Sequence, residues 1–400
     1  MIELSAWPQI AEDEKAAVQD VLSSNRLNYW TGTKCLEFEE KWSASHAGQK
    51  ALCFANGSLT LDAALRALGI GPGDEVIVSP RSYVASAMCV VMSGAIPVFA
   101  DVDATSGCLT AQTAEAVRSE KTKAVIPVHI GGWPCNMDEM MSWANDFGIS
   151  VVEDCAQAHG GNWNGRPLGT FGDIGSWSFC QDKIMTTGGE GGMLCVRDEA
   201  LWKRVWSIMN HGKDYDKSTS PRGNDEPKGF RWTINNCGTN MRMTEMQAAI
   251  GLCQLQKLDQ WSNMRQRNSQ ILFNALTEIT ELRVPEIPPG HACYRFVAYT
   301  RGVKASQVRD DLLDTLQEQG IPAMQGACPE IYKEEAFELR QFNPAAMNRG
   351  QLDHDGRLPV ARRLGETSLT FFCHHTIDEQ TMHKYASCVT DCIKQMLATP

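Results

Sequence analysis

The 400-residue sequence contains no run of 18 apolar residues, and its first residues lack the charged start and continuous apolar stretch of a signal peptide. These absences predict a protein without a membrane partner that works in the cytoplasm. The sequence also lacks a basic run, and its 37 basic residues against 48 acidic ones leave a net charge of −11. Because that charge repels phosphate backbones, and because no aromatic–basic cluster is present, a nucleic-acid partner is disfavoured.

No C-x-x-C pair occurs among the fifteen cysteines, which are spread from Cys35 to Cys392. Without paired spacing, a zinc site, a redox pair and a disulfide framework are all disfavoured. We therefore expect all fifteen to be small buried hydrophobic residues in a reducing compartment, and we expect no metal.

The sequence does contain, from residue 50 to 196, an alternation of short apolar runs with helical patterns. Each run is bounded by Gly, Pro, Asp or Asn, as buried strands usually are. Leu61, Ala64, Leu65 and Leu68 have the i, i+3, i+4, i+7 spacing of a buried helix face. Strand–helix–strand order predicts a mainly parallel sheet. The predicted strands are Ala51–Phe54, Glu75–Val78, Pro97–Phe99, Ala124–Ile130, Ile149–Val152, Gly175–Phe179 and Gly192–Val196.

The pattern changes beyond Thr244, where a long helix rich in Gln, Leu and Met is predicted toward residue 277. The closing segment begins with a capping-box arrangement from Thr376 to Glu379, and an apolar stripe from Met382 to Ile393 predicts a terminal helix. We predict a large domain with an N-terminal arm over residues 1–250 and a smaller domain over residues 251–400.

Ligands of an open parallel sheet collect beyond the carboxyl ends of its strands, so polar residues at those ends are the first candidates for a site. Three places qualify. One strand is followed by residues 153–160 (EDCAQAHG), and another by residues 180–183 (CQDK) and a glycine-rich stretch. The third is followed by residues 56–58 (NGS) at a helix start, whose free N–H groups favour a phosphate.

A carboxylate, a lysine and a phosphate cradle are the parts that pyridoxal phosphate (PLP) requires of a protein. The lysine forms an imine with the cofactor aldehyde, the carboxylate keeps the pyridine nitrogen protonated, and the helix start holds the phosphate. Each part alone is weak evidence, because strand-end Asp residues are often caps and loop Lys residues are often solvated. Their combination and order predict PLP as the cofactor.

Three segments, EDCAQAHG (153–160), SFCQDKIMTTGGEGG (178–192) and GTNMRMTEMQAAIG (238–251), resemble the DegT/DnrJ/EryC1/StrS aminotransferase family. The similarity extends from about residue 28 to residue 369. It implies the α/β fold type I of PLP enzymes, the aspartate aminotransferase superfamily. That fold has a three-layer α/β/α large domain with a mainly parallel sheet, and a smaller C-terminal α/β domain.

The resemblance makes Lys183 the lysine that binds the cofactor and moves the substrate proton, and Asp154 the partner of the pyridine nitrogen. Gln157 takes the position that hydrogen-bonds the cofactor's phenolic oxygen. Tyr83 takes that of the ring stacked on the cofactor, with a core tyrosine as the open alternative. We further expect Lys183 to act as a base because imine formation and neighbouring positive charge lower its pKa.

The phosphate-binding positions of the family match Gly57, Ser58 and Ser178. Asn240 matches an asparagine that reaches the phosphate from the neighbouring subunit, which implies a homodimer with shared sites. The sequence departs from the family at Asp182, whose effect on substrate choice stays open. His211 and Trp232 resemble segments near the sugar nucleotide, and a structural or solvated loop role is equally open for both.

The resemblance implies transfer of an amino group from an amino acid, usually glutamate, to a nucleotide-linked keto sugar. Such amino sugars serve surface polysaccharide, including lipopolysaccharide O-antigen, or glycosylated metabolites. Two alternatives stand beside this reading. The dehydratase branch of the family carries histidine in place of the lysine, so Lys183 argues against it. A non-catalytic regulator would have lost Lys183, Asp154 or the phosphate-binding hydroxyls, and none is lost. The identity of the sugar and the choice of C3 or C4 stay open.

Overall fold

The computed structural model describes residues 2–221, 229–338 and 356–398. Nine strands precede residue 200, and seven of them form one sheet in the spatial order first, ninth, eighth, fifth, fourth, second, third. The remaining two form a small hairpin. The strands are β1 (Lys50–Phe54), β2 (Glu75–Val78), β3 (Ile96–Phe99), β4 (Thr122–Ile126), β5 (Ser150–Asp154), β6 (Asn162–Trp163), β7 (Arg166–Pro167), β8 (Ile174–Ser178) and β9 (Gly192–Val196).

The large sheet is mainly parallel, as predicted. β2 pairs in parallel with β3 and β4, β4 pairs in parallel with β5, and β5 with β8. Only β9 breaks the direction, because it runs antiparallel to both β8 and β1. Each of the seven predicted apolar runs contributes one strand of this sheet.

One predicted strand, over residues 124–130, is too long at its end. β4 ends at Ile126, and Pro127 follows, which has no N–H to donate to a neighbouring strand. The chain then forms a 3-10 turn at Ile130–Gly132, where Gly131 adopts a φ of +65°. This turn brings backbone groups to the edge of the candidate site.

Helices cover both faces of the sheet, which gives the predicted three layers. Val151, Val152 and Glu153 are consecutive in β5 and all fully buried, so neither face of the central strand meets solvent. The helices of this part are α1 (Glu12–Ser24), α2 (Lys34–Ser45), α3 (Gly57–Ala67), α4 (Ala85–Met92), α5 (Ala111–Glu115), α6 (Met137–Phe147), α7 (Glu199–Met209), α8 (Tyr215–Thr219) and α9 (Glu245–Leu255).

The last third of the chain forms a four-stranded antiparallel sheet with its own apolar core, which the N-terminal Ile2 joins. Its strands are β10 (Leu282–Arg283), β11 (Phe296–Thr300), β12 (Met324–Gln325) and β13 (Ser368–Phe371). Its helices are α10 (Leu258–Leu276), α11 (Ala305–Glu318), α12 (Pro359–Thr367) and α13 (Glu379–Ala398), with 3-10 turns at Ile331–Lys333 and Glu335–Glu338. Among the described residues, no helix has the length and apolar character needed to cross a bilayer.

The prediction of one long helix from residue 244 to 277 is wrong, because two helices occupy that stretch. α9 packs against α1 and α2, whereas α10 packs against α13. A single straight helix could not pack against both sets of neighbours. The helix is interrupted between Leu255 and Leu258. The domain boundary at residue 250 stays a prediction, and it falls within α9.

The terminal helix is present, but its predicted cap is not. Asp378 caps α13, because its carboxylate accepts hydrogen bonds from the Thr381 N–H at 2.9 Å and the Thr381 hydroxyl at 2.7 Å. The hydroxyl of Thr376 instead donates to the carbonyl of Ala6 at 3.1 Å. The helix therefore begins at Glu379, with its predicted apolar stripe buried in the second core.

All fifteen cysteines are free thiols, and ten of them are buried. The prediction of burial is wrong for the other five. Cys237 is exposed, and Cys180, Cys253, Cys328 and Cys388 are half-buried. Cys180 is partly open to solvent because it lines a cavity, whereas Cys328 packs at the border of the first core and contacts Gln157.

Candidate active site

A cavity of about 490 Å³ lies at the carboxyl ends of β5 and β8, beside the first turn of α3. The fold brings seven of the eight predicted site residues together in its lining. They are Gly57, Ser58, Tyr83, Asp154, Gln157, Ser178 and Lys183. Asn240 does not line the cavity within its own chain.

Asp154 ends β5 and forms the floor of this cavity, with only 5% of its surface exposed. Its carboxylate accepts a hydrogen bond from the Ser86 hydroxyl at 2.7 Å and another from the Ala156 N–H at 3.1 Å. The hydroxyls of Ser82 and Ser86 lie 2.7 Å apart, so a chain of two buried hydroxyls supports the carboxylate. Each bond fixes the orientation of the charge. Ser82 and Ser86 were not predicted as site residues, and Ser82 lies in the loop before α4.

Lys183 follows β8, and 13% of its side chain is exposed. Its Nζ lies 3.3 Å from Oδ2 of Asp182 and 5.4 Å from the centre of the Tyr294 ring. The hydroxyl of Tyr294 donates to the same Asp182 oxygen at 2.6 Å. Asp182 therefore joins the amine to a side chain of the C-terminal part.

The charges around Lys183 differ from those expected. Burial alone would lower the pKa of the amine, but the phenol of Tyr294 and the carboxylate of Asp182 outweigh burial and raise the pKa above its usual value. In turn, burial would raise the pKa of Asp182, but Lys183 and Tyr294 hold it below its usual range. The expectation that neighbouring positive charge lowers the Lys183 pKa is wrong for the free amine, because its nearest charged neighbour is a carboxylate.

Tyr294 reaches this position through a strained backbone. Cys293, the residue before it, adopts a φ of +50°, which is uncommon for a residue with a Cβ and costs about 1–3 kcal/mol. The Tyr294 N–H donates to the carbonyl of Gly131 at 3.1 Å, which ties it to the turn after β4. No sequence motif marks Tyr294, and its role depends entirely on how the C-terminal part docks.

The first turn of α3 offers backbone N–H groups to the cavity. Asn56 caps the helix, and its side chain accepts from the Leu59 N–H at 3.0 Å. The N–H groups of Gly57 and Ser58 have no partner within the helix, as is general for a first turn. A Cβ at Gly57 would lie 2.5 Å from the Cβ of Ser178, so only glycine fits there. The helix start, Ser178 and the dipole of α3 together suit an anion such as a phosphate.

Gln157 and Tyr83 occupy different depths of the cavity. Gln157 is buried, its Oε1 accepts from the Gly131 N–H at 2.6 Å, and its Nε2 lies 3.0 Å from the Sγ of Cys328. Tyr83 is 66% exposed and lies at the rim, so it is not a core tyrosine. Their contacts with the cofactor stay predictions.

Three residues linked to a partner subunit or the sugar nucleotide lie outside the cavity. Asn240 is exposed, and its side chain accepts from the Arg242 N–H at 3.3 Å. Trp232 is 89% exposed and lies near Phe230, which is 93% exposed. His211 is also on the surface, with a φ of +60°. None of these contacts tests the predicted roles.

Buried groups support the site from beneath. Glu153, fully buried, uses both carboxylate oxygens: Oε1 accepts from the N–H groups of Phe171 and Gly172 at 2.7 Å, and Oε2 from that of Gly169 at 2.8 Å. The loop from 169 to 172 is thereby fastened to β5. Next to this layer, His159 is fully buried, and burial together with the charge of Lys183 lowers its pKa to about 3. His159 is therefore a neutral ring at physiological pH.

Taken together, the cavity presents a carboxylate on its floor, an amine beside it and N–H donors at one end. This set fits PLP: Asp154 suits a protonated ring nitrogen, Lys183 suits the aldehyde carbon, and the α3 start with Ser178 suits the phosphate. The matched glycine at position 57 leaves the backbone open for that phosphate.

Comparisons with known proteins agree with this arrangement. A sequence model of the DegT/DnrJ/EryC1/StrS aminotransferase family matches residues 8–386. The chain is 31% identical to an L-glutamine:2-deoxy-scyllo-inosose aminotransferase of Streptoalloteichus tenebrarius, over 97% of this chain and 94% of that protein. It is 32% identical to a GDP-perosamine synthase of Escherichia coli O157:H7, over 78% and 82% of the two chains. An aminotransferase structure from Psychrobacter cryohalolentis superposes with a TM-score of 0.89 at 41% identity, over 99% of both chains.

Proposed function

The chain belongs to the DegT/DnrJ/EryC1/StrS aminotransferase family, and from that premise we propose that it transfers the amino group of glutamate to the ketone of a nucleotide-linked deoxy sugar. Family membership makes it a PLP-dependent aminotransferase acting on sugars. The observation that carries the proposal is the meeting of Lys183, Asp154 and the first turn of α3 in one cavity.

When bound, PLP carries the amino group between the two substrates and accepts electron density from the substrate carbon. The residues of this chain hold it ready for that chemistry. Asp154, oriented by Ser86, supplies the negative charge that keeps a proton on the ring nitrogen. The N–H groups of Gly57 and Ser58 and the hydroxyl of Ser178 hold the phosphate end.

Lys183 removes a proton from the substrate carbon and returns one at the former aldehyde carbon of the cofactor. The amine must be neutral to take the proton and positively charged afterwards. Asp182 stabilises the charged form from 3.3 Å, and Tyr294 steadies Asp182 from the other side. This pair holds the amine in reach while it carries the proton.

Two pairs of acceptor and donor are candidates. The GDP-perosamine synthase relative supports a nucleotide-linked sugar, which we propose. The inosose aminotransferase relative, matched over nearly the whole chain, favours a second candidate in which a cyclitol ketone receives nitrogen from glutamine. Use of the product in surface polysaccharide or a glycosylated metabolite, and the cytoplasmic location, stay predictions.

A label-transfer experiment separates these candidates. The purified protein with PLP is offered α-¹⁵N glutamate or α-¹⁵N glutamine, together with a panel of nucleotide-linked keto sugars or scyllo-inosose. We expect mass spectrometry to find the label in a nucleotide-linked amino sugar, with glutamate as the better donor. Label found only in an inosamine overturns the proposed acceptor, and loss of water from a sugar without label transfer indicates the dehydratase reaction.

We also propose that two subunits share each site. Support comes from Asn240, exposed and outside its own cavity, and from the exposed apolar rings of Phe230 and Trp232, which suit a protein interface. In this arrangement Asn240 of the partner subunit contacts the phosphate.

Mixing two inactive variants tests that arrangement. Lys183→Ala and Asn240→Asp should each be poor enzymes, because the first lacks the amine and the second places a negative charge beside the phosphate. After subunit exchange, half of the dimers are mixed and each has one intact site, so about a quarter of wild-type activity should return. Verified exchange without any gain over the unmixed variants overturns the shared site.

A further inference from the structure

A second, smaller cavity of about 40 Å³ is lined by residues of the large-sheet part and of the C-terminal part. Gly131 lines it from one side, and Ser269 and Arg295 line it from the other. Arg81 lines this cavity, whereas its neighbour Ser82 lines the cofactor cavity. The two cavities are therefore separated by little more than one layer of residues.

Arg81 is a buried cation without a counter-charge. Only 1% of its surface is exposed, its Nε has no hydrogen-bond partner, and one terminal nitrogen lies 3.5 Å from the carbonyl of Cys328. Among the described residues, no carboxylate lies within 4 Å of its guanidinium. A guanidinium stays charged in proteins, and burying a charge without a partner is strongly unfavourable. A bound anion would balance the buried positive charge of Arg81.

Two carboxylates next to the cavity lining, those of Asp103 and Glu330, have other hydrogen-bond partners. Asp103 accepts hydrogen bonds from the N–H groups of Thr105 and Ser106 at 2.9 and 2.7 Å. Glu330, whose backbone bridges to that of Arg81, accepts from the hydroxyl of Tyr332 at 2.7 Å. Glu330 also pairs with Lys333 at 3.1 Å, and among the described residues neither acid forms an ion pair with Arg81.

Besides apolar side chains, the lining contains further groups that can donate hydrogen bonds, among them Arg295, Ser269 and His291. Arg295 has no ion pair within 4 Å among the described residues, and its guanidinium lies over the rings of Tyr294 and Phe372 at 4.7 and 5.1 Å. The buried Ser269 hydroxyl has no nitrogen or oxygen partner in the described chain. His291 accepts the Cys293 N–H on Nδ1 at 2.8 Å, which leaves Nε2–H as a donor.

We propose that this cavity binds a carboxylate group between Arg81 and Arg295. The planar fork of arginine matches the two oxygens of a carboxylate, and Ser269 and His291 supply further donors. A cavity needs roughly 10–15 Å³ of such space for one water. The volume of about 40 Å³ thus suits the three heavy atoms of a carboxylate and excludes a sugar or phosphate ester.

The carboxylate can come from a free organic acid or from the amino donor, whose binding site is next to this cavity. The second source rests on the proposed function, whereas carboxylate binding itself does not. Formate is the smallest carboxylate and serves as the probe. Methanesulfonate, with its larger tetrahedral head, keeps the ionic strength constant.

The test measures the thermal midpoint Tm of the PLP-loaded protein against formate concentration. A ligand that binds only the folded protein should raise Tm by about 2 °C for each tenfold increase above its Kd. Wild type and Arg204→Met, a change at an exposed arginine of α7, should show the rise. Arg81→Met and Arg295→Met should lose it. If Arg81→Met does not fold, the partly exposed Arg295→Met decides.

Absence of the rise in wild type, or an equal rise in all four proteins, overturns the proposal. If the rise is seen in wild type and lost in the two arginine variants, steady-state kinetics identify the source of the carboxylate. If formate competes with the amino donor and Arg81→Met raises the donor KM at least tenfold with little change in the acceptor KM, the carboxylate is that of the donor. If formate binds without competing, it is that of a free acid. A protein without any aminotransferase turnover contradicts the proposed function and leaves the formate result standing.

Discussion

Asp154 and Lys183 face the same cavity, but the first is supported entirely within the large sheet and α4, and the second depends on the C-terminal part. Asp154 and its two serine supports are at most 5% exposed, whereas half of the Asp182 side chain is exposed and its other partner is Tyr294. The negative charge at the floor is thus fixed, whereas the carboxylate next to the lysine has a hydrogen-bond partner in the C-terminal part. A rigid site for the ring nitrogen is combined with an adjustable environment for the moving proton.

Removing the lysine gives the largest effect. Lys183→Ala should reduce turnover at least about 10³-fold, because one amine both binds the cofactor and moves the proton. In wild type, borohydride reduction should fix PLP to Lys183, as peptide mapping can verify. Lys203→Ala, at an exposed ion pair of α7, is the matched control. A reduced adduct on any other lysine contradicts the assignment.

Two substitutions test the carboxylate of Asp154 at the floor of the cavity. Asp154→Asn should keep the fold and lose about 10²-fold in kcat/KM, since a preorganised charge of this kind is worth about 3 kcal/mol. Ser86→Ala removes one hydrogen bond to that charge and should cost about tenfold. The two effects are measured with the same donor and acceptor. An Asp154→Asn variant that retains near-wild-type activity rules out the role of the floor carboxylate.

A substitution next to Lys183 should change the pH dependence of PLP uptake, and not only the activity. The carboxylate of Asp182 contributes to the raised pKa of Lys183, so Asp182→Asn should lower that pKa and leave more neutral amine at a given pH. The amine must be neutral to react with the PLP aldehyde. The rate at which the cofactor-free protein takes up PLP should therefore rise severalfold near pH 8, and its pH profile should shift toward acid.

Asp216→Asn, in the surface helix α8, provides the control for this shift. An unchanged profile in Asp182→Asn, with the control also unchanged, indicates that the carboxylate positions the lysine without changing its pKa.

A last expected effect concerns stability in acid rather than activity, and it comes from the buried His159. The pKa of His159 is about 3 in the folded protein against an ordinary value of 6.5. The unfolded chain therefore binds a proton that the folded chain does not, and stability is lost as the pH falls from 6.5 toward 3, by about 1.4 kcal/mol per pH unit for one such group.

His159→Phe should therefore lose stability less steeply over that range, as urea unfolding at several pH values can measure. Other buried histidines, including His46 with a pKa of about 4, will keep part of the slope. The exposed His383 is the control position. Equal slopes in wild type and His159→Phe contradict the burial argument.

The sequence was sufficient for the parts of the site that lie close to strand ends. The runs before Asp154 and Lys183 predict buried strands, and the ends of parallel strands must meet at one sheet edge. Local pattern and sheet topology together therefore account for the floor of the cavity. The serine pair at 82 and 86 could not be recognised from helical spacing, because Ser82 lies in the loop before α4.

The sequence did not reveal the groups brought by the C-terminal part. Arg295 lines the smaller cavity, and Tyr294 and Cys328 contact Asp182 and Gln157 of the larger one, only through the docking of one part of the chain on the other. No periodicity or spacing encodes that docking. For the same reason, the raised pKa of Lys183 was not foreseen, since it depends on Tyr294 as well as on the adjacent Asp182.

The bonds of Glu153 have a consequence for how the strand is aligned. β5 is buried on both faces, so its apolar residues alone do not decide which of its two terminal acids faces the cavity. A slip of one residue along the strand would reverse every side chain. Three backbone N–H groups donate to Glu153 in the observed register. A slip of β5 by one residue would leave these N–H groups buried and unsatisfied. Glu153 thereby selects Asp154, and no other acid, as the one presented to the cofactor.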